Sequence, residues 1–211
     1  MLRVIDLETS DLDREKASII EVAWVDLVPE PLSPNGWRTT NQQAKYVRLP
    51  VGARISPEAS AVHHLVEEDL ATAWAIEEVI EHLKDEDATY VAHSAEFERF
   101  FLDKHLGSAP WLCTYKCALR VWPECPSHSL QSLRYRRGLV SPFGIDRASL
   151  TPHRALSDAT IAAALLVDLT KHASREDLHK WSAEPPLMTV INFGKHKGER
   201  FDSVPSDYLE W

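Results

Sequence analysis

Two carboxylates at the end of an apolar segment constrain this chain more than any other feature of its sequence. Asp6 and Glu8 stand near the end of residues 2–9, which are otherwise mostly apolar. In a β-strand every second side chain lies on the same face, so the two carboxylates converge on one side. Burying two like charges together costs free energy unless a cation neutralises them, and divalent metals prefer such oxygen ligands. The pattern therefore predicts part of a metal site, whose remaining ligands come from other segments.

The composition fits one main folded domain. With 211 residues, of which 44% are hydrophobic, the chain can bury one sizeable core and carry a small appended module. No stretch approaches the roughly 18 to 20 apolar residues of a membrane span, so we expect no membrane partner. The three cysteines, Cys113, Cys117 and Cys125, are odd in number and close in sequence, unlike a secreted disulfide framework. We therefore expect a cytoplasmic protein.

The net charge of -9 excludes one class of nucleic-acid binder. Proteins that coat nucleic acid nonspecifically rely on many lysines and arginines to release counterions. A nuclease is not excluded, because a metal site itself concentrates carboxylates and needs only a local basic path to the phosphates. For two basic clusters, contact with substrate and a solvated surface role stay equally open: Arg134, Arg136 and Arg137 around Tyr135, and Lys195 with Lys197.

The order of predicted elements indicates an α/β fold. Apolar runs at 2–7 and 18–28 predict an antiparallel hairpin, and a third strand is expected at 44–49. Later strands at 88–92 and 111–113 alternate with helices, which indicates a mixed five-stranded sheet flanked by helices. Within one helix, Phe97, Phe100 and Phe101 predict an inward-facing stripe. The helices are expected from Ser56-Pro57 onward and at 75–84, 95–105, 114–122, 129–137 and 155–171.

The pattern changes after residue 171. Pro185-Pro186 predicts a linker between a main domain at 1–172 and a small C-terminal unit at 185–211 whose role is unknown. A turn is expected at Phe193-Gly194-Lys195. The chain stops at Trp211 without a capping tail, and we expect the natural protein to extend further.

Two later segments offer the missing ligands. His153 stands five residues before Asp158, at the head of the longest predicted helix. Five residues span about 140° around a helix, so His153 is expected on the entering loop and Asp158 in the first turns. Glu96 and Glu98 lie about 200° apart on their own helix, so only one of them can face the sheet edge.

The motifs occur in the order Asp6-x-Glu8-Thr9, then Ala92-His93-Ser94-Ala95-x-Phe97-Glu98, then His153-x4-Asp158. This order resembles the DEDDh class of DnaQ-like 3'-5' exonucleases. The resemblance implies a ribonuclease H-like fold and the release of nucleoside 5'-monophosphates from single-stranded DNA or DNA 3' ends, with a role in DNA repair. The DNA-degrading branch of the class is favoured by further segments: Ile55-Ser56-Pro57-Glu58-Ala59, Trp111-x-Cys113-Thr114, Trp122-Pro123, and the tail at 187–198.

The resemblance also implies a role for each motif residue. Asp6, Glu8 and Asp158 hold one Mg²⁺ or Mn²⁺ ion, and Asp6 with Glu98 holds a second, partly through water. His153 takes the proton of the attacking water, a task that suits an imidazole titrating near neutral pH. Expected substrate contacts are Leu12, as a wedge against the terminal bases, together with Thr9, His63, His93 and Ser94.

The second motif departs from the usual pattern of the class. That pattern reads His-Asn-x-x-Phe-Asp, whereas this chain has Ser94 in place of the asparagine and Glu98 in place of the aspartate. A ligand that acts through water tolerates an extra methylene better than a direct ligand, since magnesium demands octahedral geometry at about 2.1 Å. We expect Glu98 to keep its metal role with reduced activity.

Three alternatives stay open. An RNA-trimming exoribonuclease of the RNase T or oligoribonuclease type carries the same motifs, so RNA is an alternative partner. A catalytically weak pseudo-exonuclease that only binds ends is the second, prompted by Ser94 and Glu98. A zinc site formed by Cys113, Cys117, Cys125 and His128 is the third, but Cys-x3-Cys lacks a recognised finger spacing and buried free thiols are favoured. The oligomeric state, including a homodimer, is not determined by the sequence.

Overall fold

The computed structural model describes residues 1–191 and 194–210. A single mixed sheet of five strands forms its centre, with helices on both faces. The strands are β1 (Leu2–Thr9), β2 (Ile19–Pro29), β3 (Trp37–Tyr46), β4 (Thr89–Ala92) and β5 (Trp111–Cys113). The helices are α1 (Pro57–His63), α2 (Ile76–Leu83), α3 (Ala95–Leu106), α4 (Thr114–Val121), α5 (Leu130–Arg136), α6 (Ala155–Leu169), α7 (Arg175–Ala183) and α8 (Ser206–Glu210).

The sheet has the strand order β3-β2-β1-β4-β5. β1, β2 and β3 form an antiparallel meander, whereas β4 and β5 run parallel to β1. The turn between β1 and β2 begins with the Ser10 N–H donating to the Ser18 carbonyl at 2.9 Å, as the predicted hairpin requires. The predicted mixed five-stranded sheet flanked by helices is confirmed.

β1 is buried on both of its faces and determines where the carboxylates point. Val4 packs in the hydrophobic cluster that includes α6, whereas Ile5 and Leu7 pack in the opposite cluster with α2 and α3. Because side chains alternate along a strand, Asp6 and Glu8 continue the α6 side. The two carboxylates therefore lie next to the first turn of α6, where the apolar core ends.

Helix α6 is apolar around almost its whole circumference. Every residue of Ala155–Leu169 except Leu156 is buried, which is the pattern of a helix inside a core. The helix contacts β1, β2 and β3 on one face of the sheet. No helix of the described residues is long and apolar enough to cross a membrane.

The third strand lies earlier in the sequence than predicted. It covers Trp37–Tyr46, not 44–49, because β3 is an edge strand that carries exposed polar residues instead of an apolar run. The preceding residues 30–36 form a turn closed by the Glu30 N–H donating to the Gly36 carbonyl at 2.8 Å. The predicted inward stripe of α3 is also corrected, since Phe100 is exposed with the Arg14 guanidinium 4.8 Å from its ring centroid.

Helix α7 was not predicted. Ser174 and Asp177 cap its first turn reciprocally, and its Ser182 hydroxyl accepts the Cys113 N–H of β5 at 2.8 Å. The next segment also touches the main domain, because the Thr189 hydroxyl donates to the Pro123 carbonyl at 3.2 Å. The division at 172 and the separate unit at 185–211 stay predictions. Phe193 of the predicted turn and Trp211 lie outside the described residues.

The three cysteines are buried free thiols. Cys113 Sγ donates to the His93 carbonyl and Cys117 Sγ to the Leu178 carbonyl, each at 3.6 Å. The fourth candidate zinc ligand, His128, donates its Nε2–H to the Trp122 carbonyl at 2.9 Å. These side chains serve the packing of the fold and form no metal-binding cluster among the described residues.

Candidate active site

Three carboxylates from distant parts of the sequence meet at the end of β1. Asp6 and Glu8 come from the strand, and Asp158 comes from the first turn of α6. One carboxylate oxygen of each lies within 4.8 Å of the others. In residues 1–191 and 194–210 this is the only group of three or more acidic, histidine or cysteine side chains with such spacing. Three hard oxygen donors at this separation suit a divalent cation.

Glu98 is a fourth carboxylate beside this group. It lies in the first turn of α3 and is buried, and its Oε2 accepts no hydrogen bond. Glu96, in contrast, is exposed and forms an ion pair with Lys116 at 2.7 Å. Glu98 is therefore the one of the two that faces the sheet edge. A buried oxygen without a donor is costly, and a cation would satisfy it.

The acidic groups raise one another's pKa. Burial raises the pKa of Asp6 well above its ordinary value, and the negative charges of Asp158, Glu98 and Glu8 add to the effect. Burial likewise raises the pKa of Glu8 to about 8, with Asp158 contributing, and raises that of Glu98 to about 8. Without a cation, burial and mutual repulsion disfavour the charged forms of these groups. The residues present therefore fit a divalent metal, whose charge reverses this trend.

Asp158 is held by hydrogen bonds to both of its oxygens. Gln131 Nε2 donates to Oδ1 at 2.5 Å, and the backbone N–H of His153 donates to Oδ2 at 2.9 Å. Gln131 is in turn held by Arg134, whose Nη1 donates to its Oε1 at 3.3 Å and to the Leu150 carbonyl at 3.1 Å. Such outer partners orient a metal ligand and tune its affinity.

The basic cluster at residues 134–137 is only partly accessible to a substrate. Arg134 is fully buried beneath Gln131, and Arg137 pairs with Asp168 at 2.8 Å while its guanidinium lies over Trp122. For Arg134 the predicted option of substrate contact is wrong, because the residue is buried. For Arg137, which is partly exposed, that option stays a prediction. Arg136 and Tyr135 stay exposed.

His153 lies on the turn that leads into α6, as predicted. It follows Pro152 and has a φ of +58°, in the left-handed region that favours glycine. A non-glycine residue there costs about 1 kcal/mol or more. Its side chain is exposed, so the imidazole faces solvent beside the carboxylates while its own backbone N–H contacts Asp158.

A buried ion pair that we did not predict flanks the carboxylates. Glu21 of β2 stands opposite Glu8 in the strand register and is 3% exposed. It accepts from Arg154 Nη2 at 3.0 Å and Nε at 3.2 Å, and from the Ala155 N–H at 3.2 Å. The signal in the sequence was an acid inside an apolar strand, which requires a buried cation.

The predicted substrate contacts divide into two groups, and in the first Leu12 and Ser94 are exposed whereas Thr9 is buried. Leu12 lies in the turn between β1 and β2 with 64% of its surface exposed, and Ser94 is exposed immediately before α3. Thr9 ends β1, where its hydroxyl donates to the Asp11 carbonyl at 3.0 Å. These three residues border the end of the sheet at which the carboxylates meet.

The second group consists of two histidines engaged within the fold. His93 donates from Nε2 to the His128 carbonyl at 2.8 Å, so its Nδ1 accepts from the Thr114 hydroxyl at 3.0 Å. Burial lowers the pKa of His93 to about 4. His63 accepts the Leu65 N–H at its Nδ1, and burial lowers its pKa as well. Their roles toward a substrate stay predictions.

Comparison with known proteins identifies the family. The family model RNase_T, described as "Exonuclease", matches residues 4–166. The chain belongs to the DnaQ-like exonuclease family. This exonuclease is 34% identical over its whole length to Exodeoxyribonuclease 10 of Escherichia coli strain K12, and the match covers 90% of that protein. It is also 26% identical to the PolC-type DNA polymerase III of Staphylococcus haemolyticus. That match covers 89% of this chain and 14% of the polymerase.

Solved structures confirm the ribonuclease H-like fold of the exonuclease. It matches Exonuclease X in complex with 5' overhanging duplex DNA with a TM-score of 0.66 at 34% identity, covering 87% of this chain and 100% of that one. The nuclease domain of 3'hExo, a DEDDh family member bound to rAMP, shares the fold with a TM-score of 0.62 at 16% identity, covering 81% and 91%. The exonuclease is a 3'-5' phosphodiester hydrolase of a metal-dependent family.

Proposed function

We propose that this exonuclease removes nucleotides from the 3' end of DNA and releases nucleoside 5'-monophosphates. The observation that carries the proposal is the meeting of Asp6, Glu8 and Asp158 beside Glu98 at the end of β1. DNA is favoured over RNA because the relative that matches over the whole chain is named an exodeoxyribonuclease, and the Exonuclease X structure contains duplex DNA.

The four carboxylates are proposed to bind two Mg²⁺ or Mn²⁺ ions. Asp6, Glu8 and Asp158 have the oxygen spacing for one ion, and Glu98 offers its unpartnered Oε2 to a second ion shared with Asp6. When bound, the two ions lower the pKa of the attacking water and stabilise the charge that develops on the scissile phosphate. Gln131 and the His153 N–H keep the Asp158 carboxylate in a single orientation throughout.

His153 is proposed as the general base. Its imidazole is exposed on the turn before α6, so it can accept a proton from a water molecule above the carboxylates. Its backbone contact with Asp158 limits how far the ring can lie from the metal ligands. Imidazole is the side chain that most often carries out such a proton transfer.

Recognition of the 3' end requires no reading of sequence. Exposed Leu12 is placed to stack against the terminal base, and stacking on an apolar side chain accepts every base. Thr9 and Ser94 are proposed to contact the sugar and phosphate of the terminal nucleotide. His63 and His93 would act by supporting this border, since their ring nitrogens lie within the fold.

The test is digestion of matched DNA and RNA oligonucleotides that carry a label near the 3' end. With Mg²⁺ we expect release of labelled mononucleotides from DNA, loss of release in EDTA, and loss of release in Asp6→Ala. Faster digestion of RNA would support the exoribonuclease alternative. Tight binding to ends without any release would support the pseudo-exonuclease.

The free buried thiols favour a cytoplasmic location.

A further inference from the structure

The proposed base is held by its backbone and not by its side chain. In the described part of the chain the His153 imidazole forms no hydrogen bond. The residue also has a left-handed φ that a histidine rarely adopts. Such a conformation persists only where the surrounding structure over-determines it. The contacts on either side of His153 therefore set the position of its backbone and the direction of its Cα–Cβ bond.

Two anchors hold the turn from opposite directions. On one side, the His153 N–H donates to Asp158 of α6. On the other side, the Arg154 side chain crosses to the sheet, where it binds Glu21 of β2 and donates to the Tyr46 hydroxyl of β3 at 2.6 Å. The peptide between His153 and Arg154 is thus fixed between the helix and the hairpin.

We propose that Glu21 is the positioning residue for His153 and acts through Arg154. The guanidinium meets the carboxylate through two N–H groups, a fork geometry that restrains orientation as well as distance. The Ala155 N–H donates to the same carboxylate, so Glu21 binds Arg154 and Ala155, the two residues that follow His153. This inference rests on the proposed role of His153.

Metal binding is the competing role for Glu21, and the contacts of Glu21 argue against that role. The positively charged Arg154 guanidinium binds both oxygens of Glu21, and the residue is absent from the cluster of potential ligands. Its charge raises the pKa of Glu8. Arg154 offsets this charge and lowers the pKa of Glu8 in turn.

A double-mutant cycle tests the inference. The four enzymes are the wild type, Glu21→Gln, His153→Ala and the double variant, each assayed for kcat and KM on single-stranded DNA and for Mn²⁺ affinity by calorimetry. In the wild-type background we expect Glu21→Gln to lower kcat on the order of tenfold to a hundredfold, because a misplaced group reacts slowly. KM and Mn²⁺ affinity should stay within twofold. In the His153→Ala background we expect no further loss of kcat.

The same loss of kcat in both backgrounds would overturn the positioning role while leaving His153 as the base. Unchanged kcat in Glu21→Gln would also overturn it. Full activity in His153→Ala would overturn the proposed base, and the positioning role with it. If Glu21→Gln does not fold, Arg154→Lys in the same cycle replaces it, since lysine keeps the charge but loses the fork.

The chain offers a matched control on the same helix. Asp168 near the end of α6 is buried and pairs with Arg137 at 2.8 Å, far along the helix from Asp158. Asp168→Asn should lower the melting temperature about as much as Glu21→Gln and keep kcat. A fall in kcat for both variants would mean that kcat reports general loosening of α6, which would overturn the inference.

Discussion

Gln131 donates a 2.5 Å hydrogen bond to the Oδ1 of Asp158, across 27 residues of sequence. With the His153 N–H on Oδ2, this bond leaves each oxygen of the carboxylate one direction in which to bind a cation. We predict that Gln131→Leu weakens Mn²⁺ binding on the order of tenfold to a hundredfold, as loss of such outer partners does. Calorimetric titration with Mn²⁺ measures it.

Gln42 provides the control for that substitution. It is an exposed glutamine on the edge strand β3, where its amide donates to the Thr39 hydroxyl. Gln42→Leu should leave Mn²⁺ affinity unchanged. Equal affinities for the wild type and Gln131→Leu would show that the hydrogen bond to Asp158 does not orient a ligand.

His153→Ala is expected to slow the chemical step by a hundredfold or more, because general bases contribute roughly 10² to 10⁴ to rate. Single-turnover digestion with the enzyme in excess measures that step, and DNA affinity in Ca²⁺ should not change. His64 is a matched control, since it is also an exposed histidine with a positive φ, at +61°. His64→Ala should keep the wild-type rate. A fast His153→Ala enzyme would remove the base from the mechanism.

The two glutamates of α3 are predicted to behave differently. Glu98→Gln removes a negative charge from the carboxylate group and should reduce kcat on the order of a hundredfold or more, since charge stabilisation by a metal is worth several kcal/mol. Glu96→Gln should keep activity, because Glu96 is exposed and pairs with Lys116. Steady-state rates at saturating Mg²⁺ compare them. Equal rates would exclude Glu98 from the metal site.

Asp6→Asn is expected to stabilise the metal-free protein at pH 8 by about 1 to 2 kcal/mol, since it removes a buried charge that its neighbours repel. It should also abolish the stabilisation that Mg²⁺ gives the wild type. The measurement is urea denaturation in EDTA and in Mg²⁺.

Asp26→Asn is the control with the opposite sign. This buried aspartate of β2 binds the Arg3 guanidinium through both oxygens at 2.7 Å, so its loss should destabilise the protein by about 3 to 5 kcal/mol. A loss of stability in Asp6→Asn as well would contradict the repulsion inferred at the carboxylate group.

His93 should make stability depend on pH. Burial lowers the pKa of His93 to about 4 in the folded protein, against about 6.5 in an unfolded chain. Between these values the unfolded state binds more protons, so stability falls as pH drops from about 6.5 to about 4, by up to about 3 kcal/mol. The slope should be smaller in His93→Gln, measured by denaturation in EDTA. Parallel pH curves for the two proteins would contradict this role of burial.

Sequence patterns predicted the elements that are long apolar runs. The hairpin of β1 and β2 and the buried helix α6 are such runs, and they bring Asp6, Glu8 and Asp158 together. β3 was misplaced because an edge strand needs no apolar face, and its pairing with β2 is decided by backbone hydrogen bonds. No period in the sequence carries that information.

The residues that support the candidate site were harder to predict. Arg134 lies in a basic run that resembles a solvated surface, yet it is buried because loop carbonyls such as that of Leu150 accept its N–H groups. Glu21 and Arg154 are separated by 133 residues, so only the folded sheet shows that they pair. Support of this kind depends on long-range geometry, whereas the ligands themselves follow local motifs.

The first turn of α6 holds the proposed metal ligand Asp158 and the proposed base His153 together. Asp158 belongs to the helix, and His153 is tied to that same carboxylate by a backbone hydrogen bond. Because the helix is buried along almost its whole length, it moves with the core and not with the surface. Thermal motion that displaces the proposed metal ligand therefore carries the proposed base with it. Their separation therefore does not depend on the exposed turn that carries Leu12.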